Sequence, residues 1–366
     1  MFAKVYMEKS YINAIKPLTS PHELMKTLPL PIETVDFIVS SRKTITNIIN
    51  GTDDRLLVII GPCSIHDPKS ALDYTKKLIE ISKKHTNQLF IVMRTYFEKP
   101  RTTIGWKGLI SDPLMNETHN INQGLFIARN LLIQLNQLGM PAATEFLDPI
   151  NSYYIKDLVS WGAIGARTTE SQTHRELASS LPCAVGFKNN TDGNVQVAID
   201  AITSAKNSHT YSGINNKGQA YIQQSTGNPD SHIILRGGKK PNYHFDDIDS
   251  ACTKLKAFHH QNKVMVDCSH GNSQKDHYRQ IEIAHSLGNQ ISQGSSQIFG
   301  LMIESFLVAG KQNLQNISAL RYGQSVTDAC IDIEESEDIL SFLAQSIDKR
   351  RVFNKQYRDI ILTKVS

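Results

Sequence analysis

Runs of hydrophobic residues alternate with amphipathic stretches along most of the chain, from about residue 55 onward. The clearest run is Leu56–Ile60, whose five consecutive apolar residues are typical of a strand buried on both faces. The pair Gly61-Pro62 ends this strand. Asp67 and Pro68 then provide the N-cap and the first position of an amphipathic helix. A buried strand followed by a helix is the unit that the pattern repeats.

About eight such units follow one another. Alternating strands and helices indicate a parallel sheet, and eight units over roughly 290 residues fit an α/β fold of the (β/α)8 TIM barrel type. An open, doubly wound sheet is the alternative, although no GxGxxG motif follows the first strand. The predicted strands are Leu56–Ile60, Leu89–Met93, Pro141–Glu145, Ala163–Ala166, Ala184–Phe187, Ile233–Leu235, Val264–Val266 and Ile298–Ile303. Helices are predicted over about Ile121–Leu138, Ser152–Trp161, Val195–Ala205 and Ile248–Phe258, after Ser171, around Tyr278–Leu287 and around Ile339–Ile347.

Segments outside the repeat suggest the domain organisation. Residues 1–54 form an N-terminal extension, residues 55–350 the barrel, and residues 351–366 a C-terminal tail. Within the extension, Phe2–Met7 is predicted as an edge strand suited to a subunit interface, and Pro21–Leu28 and Ile32–Asn50 as helices. Two insertions interrupt the barrel, namely a long polar loop over Phe97–Asn120 and a β-hairpin over about residues 209–224.

Composition narrows the class of protein. The net charge is only +4 and no dense run of Lys and Arg occurs, so nucleic acid is not an expected partner. No apolar stretch approaches the roughly 18 residues of a membrane span, and residues 1–10 lack the apolar core of a signal peptide. The five cysteines have no CxxC spacing and are expected to be reduced thiols. We therefore expect a cytoplasmic protein without membrane contacts.

Cations follow several of the predicted strands, where a barrel of this kind places its active site. Each could pair with a nearby carboxylate, but Glu145 and Asp267 cannot neutralise all of them. The surplus predicts a polyanionic, phosphorylated ligand, and two clusters, Lys99 with Arg101 and the rest inside the barrel, suggest two phosphates. The cations are Arg94, Lys99, Arg101, Arg167, Lys188 and Arg236.

A second group of residues offers metal ligands. Cys63, His270, Glu304 and Asp328 follow the first, seventh and eighth strands and the segment after them. A closed barrel brings the first strand beside the eighth, so these residues would converge. One thiolate, one imidazole and two carboxylates suit a divalent ion such as Mn, Fe, Co or Zn. Taken singly, each also has a structural explanation, as a buried thiol, a hydrogen-bonded histidine or a helix cap.

Seven motifs resemble those of the type I class of 3-deoxy-D-arabino-heptulosonate-7-phosphate (DAHP) synthases. They extend from about residue 55 to residue 350. The motifs are Gly61-Pro62-Cys63-Ser64-Ile65-His66-Asp67, Lys99-Pro100-Arg101-Thr102-Thr103, Gly165-Ala166-Arg167-Thr168-Thr169-Glu170-Ser171, Gly186-Phe187-Lys188-Asn189, Ile233-Ile234-Leu235-Arg236-Gly237-Gly238, Asp267-Cys268-Ser269-His270-Gly271-Asn272-Ser273 and Thr327-Asp328-Ala329-Cys330.

The resemblance implies a reaction and its residues. Phosphoenolpyruvate would condense with erythrose 4-phosphate to give DAHP and phosphate, the first step of the shikimate pathway to aromatic amino acids. By the same resemblance, Cys63, His270, Glu304 and Asp328 would bind the metal, Arg94, Lys99, Arg167, Lys188 and Arg236 would bind phosphoenolpyruvate, and Arg101 and Thr102 would bind the phosphate of erythrose 4-phosphate.

Among these residues Lys99 is the predicted proton donor to the nascent alkoxide, because desolvation among other cations would lower its pKa. Glu145 would position water or substrate. The resemblance also implies a homodimer or homotetramer.

Feedback inhibition by an aromatic amino acid is a further implication, with phenylalanine or tyrosine as the expected effector. The effector residues would be Pro149 and Ser152, the segment Leu177–Pro182 with Leu181 and Pro182, and Tyr211 on the hairpin. Pro182 departs from the small residue that is usual there.

Three other functions remain as alternatives. The first is a 3-deoxy-D-manno-octulosonate-8-phosphate synthase that uses arabinose 5-phosphate, against which the Lys99–Thr103 motif and the N-terminal extension argue. The second is a non-catalytic protein that binds a phosphosugar. The third is an aldolase with a Schiff-base lysine, which requires a desolvated lysine apart from phosphate, whereas Lys188 belongs to a cationic cluster.

Overall fold

Eight parallel strands form a closed barrel in the computed structural model, which describes residues 11, 12, 14–314 and 316–365, with side chains as far as residue 356. The barrel follows the order β1-β10-β9-β8-β5-β4-β3-β2, so the predicted TIM barrel is confirmed and the open sheet is excluded. The predicted edge strand Phe2–Met7 lies outside the described residues. The strands are β1 (Leu56–Gly61), β2 (Leu89–Arg94), β3 (Ala142–Glu145), β4 (Trp161–Ile164), β5 (Ala184–Lys188), β6 (Thr210–Ile214), β7 (Ala220–Gln224), β8 (His232–Leu235), β9 (Val264–Asp267), β10 (Ile298–Glu304), β11 (Val308–Lys311) and β12 (Gln324–Ser325).

Helices surround the barrel and cover its outer face. The last helix runs continuously past residue 350, where the sequence suggested that a tail begins. Within the described residues, no helix has the length and apolarity needed to cross a membrane. The helices are α1 (Pro21–Thr27), α2 (Ile32–Asn50), α3 (Pro68–Lys84), α4 (Ile121–Gln137), α5 (Pro149–Ile155), α6 (Gln172–Ser180), α7 (Gln196–Ala205), α8 (Phe245–Ala257), α9 (Arg279–Ser292) and α10 (Ile333–Val365).

The strands are buried on both faces because two apolar layers meet at the sheet. In β1, Leu56 and Val58 pack in the layer shared with the outer helices, whereas Leu57 and Ile59 pack inside the barrel. Helix α2 adds Ile45 and its neighbours to the interior layer. The N-terminal extension therefore closes one end of the barrel.

Around β4 the sequence-based boundaries are wrong. The predicted helix Ser152–Trp161 is instead α5, which begins at Pro149 because Asp148 caps it by accepting from the amide of Ile150 at 2.8 Å. Strand β4 begins two residues earlier than predicted, at Trp161. The indole of Trp161 lies inside the barrel and donates to Nε2 of His232 at 3.2 Å.

The hairpin predicted at about residues 209–224 is confirmed as the antiparallel pair β6 and β7. It joins the barrel through hydrogen bonds to helices α5 and α6. Tyr153 donates to Oε1 of Gln223 at 3.1 Å, and the hydroxyls of Tyr211 and Ser180 lie 2.5 Å apart.

Candidate active site

A cavity of about 280 Å³ opens at the carboxyl ends of the barrel strands. Polar and charged side chains dominate its wall, as expected for the catalytic end of a (β/α)8 barrel. The lining residues are Lys99, Pro100, Arg101, Thr102, Glu145, Gly165, Ala166, Arg167, Lys188, Thr191, Arg236, Ser269, His270, Ser273, Lys275, His277, Gln280, Glu304, Thr327, Asp328 and Ala329.

Atoms of the four residues predicted to bind a metal converge at one side of the cavity. The ligand atoms of Cys63, Glu304 and Asp328 lie within 4.8 Å of one another, and Nε2 of His270 is 3.8 Å from Oε1 of Glu304. Closure of the barrel produces this proximity, since Gly61 of β1 pairs with Glu304 of β10. A thiol, an imidazole and two carboxylates at these distances fit a divalent transition-metal ion.

Local backbone features hold these ligands in place. Gly61 has φ +155°, and a Cβ there would lie 2.7 Å from the carbonyl oxygen of Arg94, so the turn before Cys63 requires glycine. The carboxamide of Gln280 brackets the backbone of Glu304, accepting from its amide at 2.8 Å and donating to its carbonyl at 3.1 Å. Glu304 is therefore fixed from the strand and from helix α9.

Arg94 does not line the cavity but lies behind the four candidate metal ligands, which we call the metal-ligand group (Cys63, His270, Glu304 and Asp328). Its side chain is fully buried, donates to Oε1 of Glu304 at 2.8 Å, and stacks 3.5 Å from the ring centroid of Tyr96. It also donates to the carbonyl of Pro62 at 3.1 Å. The resemblance predicted that Arg94 binds phosphoenolpyruvate; in the structure its contacts are with Glu304 and the backbone before Cys63.

Lys188 is also paired with a carboxylate. Its ammonium lies 2.8 Å from Oδ2 of Asp267, which is also 2.8 Å from Nδ1 of His270. Burial raises the pKa of Asp267, but the nearby charges of Lys188 and His270 outweigh burial and hold that pKa well below its usual range. Asp267 is therefore ionised and orients both side chains.

Lys99 contacts the metal-ligand group. Its ammonium is 3.2 Å from Sγ of Cys63 and 3.3 Å from the Cys63 carbonyl oxygen. The expectation of a lowered Lys99 pKa is wrong in direction. Burial does lower it, but Cys63 and Glu304 raise the pKa of Lys99 above its usual value. Lys99 is a protonated donor beside the thiol.

The remaining predicted residues line the cavity. Arg101, Thr102 and Arg167 are exposed, and Arg236 is partly buried. Arg101 uses Nε to donate to the carbonyl of Trp106 at 2.7 Å, so its contacts differ from those of Lys99. Within the described part of the chain, none of these three arginines has an ion-pair partner. Two of the six predicted cations, Arg94 and Lys188, are thus neutralised locally, and a cationic surplus remains.

Glu145 ends β3 and lies against Gly165, where a Cβ would collide with its carboxylate. The side chain is buried but lines the cavity, in a position to contact a bound substrate.

Sequence reasoning missed several lining residues between β9 and the first turn of α9, namely Ser269, Ser273, Lys275 and His277 on the loop and Gln280 in the helix. This loop has no hydrophobic period, and its shape depends on left-handed residues that are not glycine: φ is +58° at His270, +52° at Gln274 and +66° at Lys275. Such conformations gather at functional sites, but nothing in the residue types announces them.

The residues predicted to bind the effector lie on three parts of the chain, namely α5, the segment after α6 and strand β6. Ser152 donates to the carbonyl of Pro149 at 2.6 Å within α5, while Leu181 follows α6 and is buried. Pro182 is exposed beside it, and Tyr211 lies near α6 through its contact with Ser180.

The charges around Asp328 belong to three segments: the loop after β2, the loop between β9 and α9, and strand β11. Burial raises the pKa of its carboxyl, but Lys99, His270, Lys275 and Lys311 together lower it. Asp328 is therefore ionised, at the mouth of the cavity and beside the other candidate metal ligands.

Comparison with known proteins places this architecture in a family. The family model described as "DAHP synthetase I family" matches residues 33–341. Proteins named "Phospho-2-dehydro-3-deoxyheptonate aldolase, Trp-sensitive" are 53% identical in Buchnera aphidicola subsp. Schizaphis graminum and 52% identical in Escherichia coli (strain K12). Each match spans 336 residues, 92% of this chain and 97% of the relative.

A solved structure agrees with these sequences. The phospho-2-dehydro-3-deoxyheptonate aldolase from Francisella tularensis SCHU S4 has a TM-score of 0.91 and 50% identity, covering 93% of this chain and 99% of that one. The two relatives carry tryptophan sensitivity in their names, so the expected phenylalanine/tyrosine-sensitive subclass is not supported. The chain belongs to the DAHP synthetase I family.

Proposed function

We propose that this protein condenses phosphoenolpyruvate with erythrose 4-phosphate, consuming water and producing DAHP and inorganic phosphate, the entry reaction to aromatic amino acids. The observation that carries the proposal is one cavity in which metal ligands lie beside a surplus of cations. Two phosphorylated substrates supply the anions that such a surplus requires.

In this reaction C3 of phosphoenolpyruvate attacks the aldehyde carbon, water adds to C2, and the C2–O bond to phosphate then breaks. Arg167, Lys188 and Arg236 bind phosphoenolpyruvate, whereas Arg101 and Thr102 bind the phosphate of the aldose. Arg94 acts through Glu304, which it holds by the 2.8 Å ion pair. Holding both substrates in register lowers the entropic part of the barrier.

Proton transfer is assigned to Lys99. Its raised pKa keeps it protonated, and its position 3.2 Å from Sγ of Cys63 puts a donor beside the metal-ligand group. Lys99 would donate to the alkoxide formed from the aldehyde. Glu145 would orient the water or the enolpyruvate.

Cys63, His270, Glu304 and Asp328 would hold a divalent Mn, Fe, Co or Zn ion. When bound, the ion supplies Lewis-acid polarisation of the aldehyde or orientation of the attacking water. Asp267 supports this group by accepting from His270, an arrangement common among metal-binding histidines.

An aromatic amino acid would regulate the enzyme. The names of the relatives make tryptophan the first effector to test, ahead of phenylalanine and tyrosine. Pro149, Ser152, Leu181, Pro182 and Tyr211 would contact it between α5, α6 and the hairpin. We also propose a cytoplasmic homodimer or homotetramer.

The first experiment follows the ultraviolet absorbance of phosphoenolpyruvate on chelated enzyme. Loss that requires both erythrose 4-phosphate and added Mn supports the proposal, and slowing by one aromatic amino acid identifies the effector. Loss with arabinose 5-phosphate alone would indicate the octulosonate activity instead. Absence of loss with either sugar and any of the four metals would contradict an enzymatic function.

A further inference from the structure

Lys275 projects from the loop between β9 and α9 at the mouth of the cavity. It is exposed, lies in a left-handed backbone conformation, and is preceded by another left-handed residue, Gln274. Neither is glycine, so both conformations are unfavourable unless surrounding contacts impose them. The amide of Lys275 donates to the carbonyl of His270 at 3.1 Å, which ties its position to that of a predicted metal ligand.

Contacts with Arg236, just after β8, and with the ends of β8 and β9 hold the start of this loop. The amides of Gly271 and Asn272 both donate to the carbonyl of Arg236, at 3.0 and 3.2 Å. The Asn272 carboxamide donates to the carbonyls of Asp267 and Leu235 at 2.8 and 3.2 Å. Lys275 is therefore presented from an ordered support, which reduces the entropic cost of binding a ligand.

The Lys275 ammonium has no internal role that the contacts reveal. Within the described residues it has neither an ion pair nor a side-chain hydrogen bond, whereas Lys188 and Arg94 each have a carboxylate at 2.8 Å. An unpaired cation at the mouth of a cavity is available for an anionic substrate.

The cavity cations divide into two sets. Arg167 and Arg236 are close enough to repel each other, and Lys188 is bound to Asp267 nearby; this is the proposed phosphoenolpyruvate side. Lys275 lines the cavity from the loop that carries His270, whose carbonyl accepts from its amide at 3.1 Å, and its charge also acts on Asp328. If the aldehyde lies at the metal ligands, the rest of the aldose extends from Asp328 toward the mouth, where Lys275 stands.

We propose that Lys275 binds the terminal phosphate of the aldose substrate together with Arg101, and thereby contributes to selection of a phosphorylated aldose. This inference rests on the proposed function and adds to it a residue that the sequence motifs did not indicate. Lys275 is a binding residue, while proton transfer remains with Lys99.

The test compares Lys275→Met with Lys275→Arg and with Lys311→Met, by steady-state kinetics at saturating Mn. Lys311 is the matched control because its charge also acts on Asp328 but its side chain does not line the cavity. Lys275→Met should raise the KM for erythrose 4-phosphate about tenfold, as for loss of one charge-assisted hydrogen bond to phosphate, with the KM for phosphoenolpyruvate changing less than about twofold. Lys275→Arg should restore most of the loss, and Lys311→Met should leave both KM values near those of the wild type.

Three results would overturn the inference in the active enzyme. They are an unchanged KM for erythrose 4-phosphate in Lys275→Met, an equal rise for both substrates, and the same rise in Lys311→Met, which would assign the effect to Asp328. Failure of the proposed function would look different, since the wild type itself would then not consume phosphoenolpyruvate with erythrose 4-phosphate.

Discussion

Two opposing effects act on the pKa of the Cys63 thiol, which is fully buried. Burial raises the pKa of its thiol and the carboxylate of Glu304 raises it further, while Lys99 lowers it. The net result is a raised pKa, so an uncharged thiol is favoured until a cation binds. Binding of a divalent ion must then release the thiol proton, and metal affinity should increase with pH.

Replacing Cys63 by serine should remove most Mn-supported turnover, because a hydroxyl is a much poorer anionic ligand than a thiolate. The melting temperature of the chelated protein should change little. Isothermal titration with Mn and the phosphoenolpyruvate assay measure the two effects. Cys252→Ala, on α8, is the control and should keep both Mn binding and turnover. Full turnover of Cys63→Ser after chelation and Mn addition would remove Cys63 from the site.

Glu98 is a buried carboxyl next to Lys99 and links the substrate loop to α5. It accepts from Nδ2 of Asn151 at 2.7 Å and from the amide of Asp148 at 3.4 Å. Burial nevertheless dominates and raises the pKa of Glu98 from 4.5 to about 7. Between pH 4.5 and about 7 the folded protein thus retains a proton that the unfolded chain has largely lost.

A carboxyl whose pKa is raised by folding stabilises the folded protein fully at pH values below 4.5, its pKa in the unfolded chain. This stabilisation is lost progressively as the pH rises from 4.5 through about 7, the pKa in the folded protein. Glu98→Gln cannot ionise, so its stability relative to the wild type should increase across this interval, by at most about 3 kcal/mol. Thermal melts at intervals from about pH 4.5 to about pH 8 measure the difference. Glu33→Gln, at an exposed position on α2, should track the wild type. A flat difference for Glu98→Gln would mean that Glu98 is ionised throughout.

A residue's place in the active site was predictable from sequence where the residue ends an apolar run, as with Glu145 and Lys188. Which charged side chains form ion pairs with one another was not predictable. Arg94 and Glu304 are 210 positions apart, and their ion pair exists only because β1 joins β2 to β10. Lys275 was missed for a different reason, since its place in the wall depends on two left-handed residues that no residue type signals.

Among the helices, local capping decides where each begins. Asp67 caps α3 by accepting from the amides of Lys69 and Ser70 at 3.0 and 3.1 Å, with Pro68 at the first helical position. This start was predicted correctly. Asp148 and Pro149 repeat the same arrangement at the start of α5. The sequence analysis instead predicts a helix over Ser152–Trp161, which starts too late and includes Trp161, the first residue of β4.

Asp67→Ala should remove both cap contacts and cost about 1 kcal/mol, with a fall of about 2 °C in melting temperature. Asp67→Asn keeps an acceptor oxygen at the N-cap and should lose much less. Circular dichroism melts of the three proteins separate the effects. Equal losses for both variants would show that charge, and not the hydrogen bonds, stabilises the start of α3.

The whole molecule depends on closure at both ends of the barrel. At the carboxyl end, closure brings β1 and β10 together and thus assembles residues from opposite ends of the sequence. At the amino end, α2 covers the interior. Pro31 before the helix and Gly51 after it predicted the helix bounds correctly, Ile32–Asn50, but the sequence did not reveal which surface the apolar face would cover. That choice is set by tertiary packing and not by helix propensity.

If α2 is part of the barrel core, truncating its buried face should destabilise the entire fold. Ile45 is fully buried in the interior cluster, so Ile45→Ala should cost about 2–5 kcal/mol in the free energy of unfolding. Val39 lies on the same helix and is 56% exposed, so Val39→Ala should change it by less than about 0.5 kcal/mol. Urea denaturation measures both variants. Because closure couples α2 to the strands, the loss of unfolding free energy in Ile45→Ala should appear as a shift of one cooperative transition. Separate unfolding of α2 at low urea, with the barrel intact, would show instead that the extension is an independent unit.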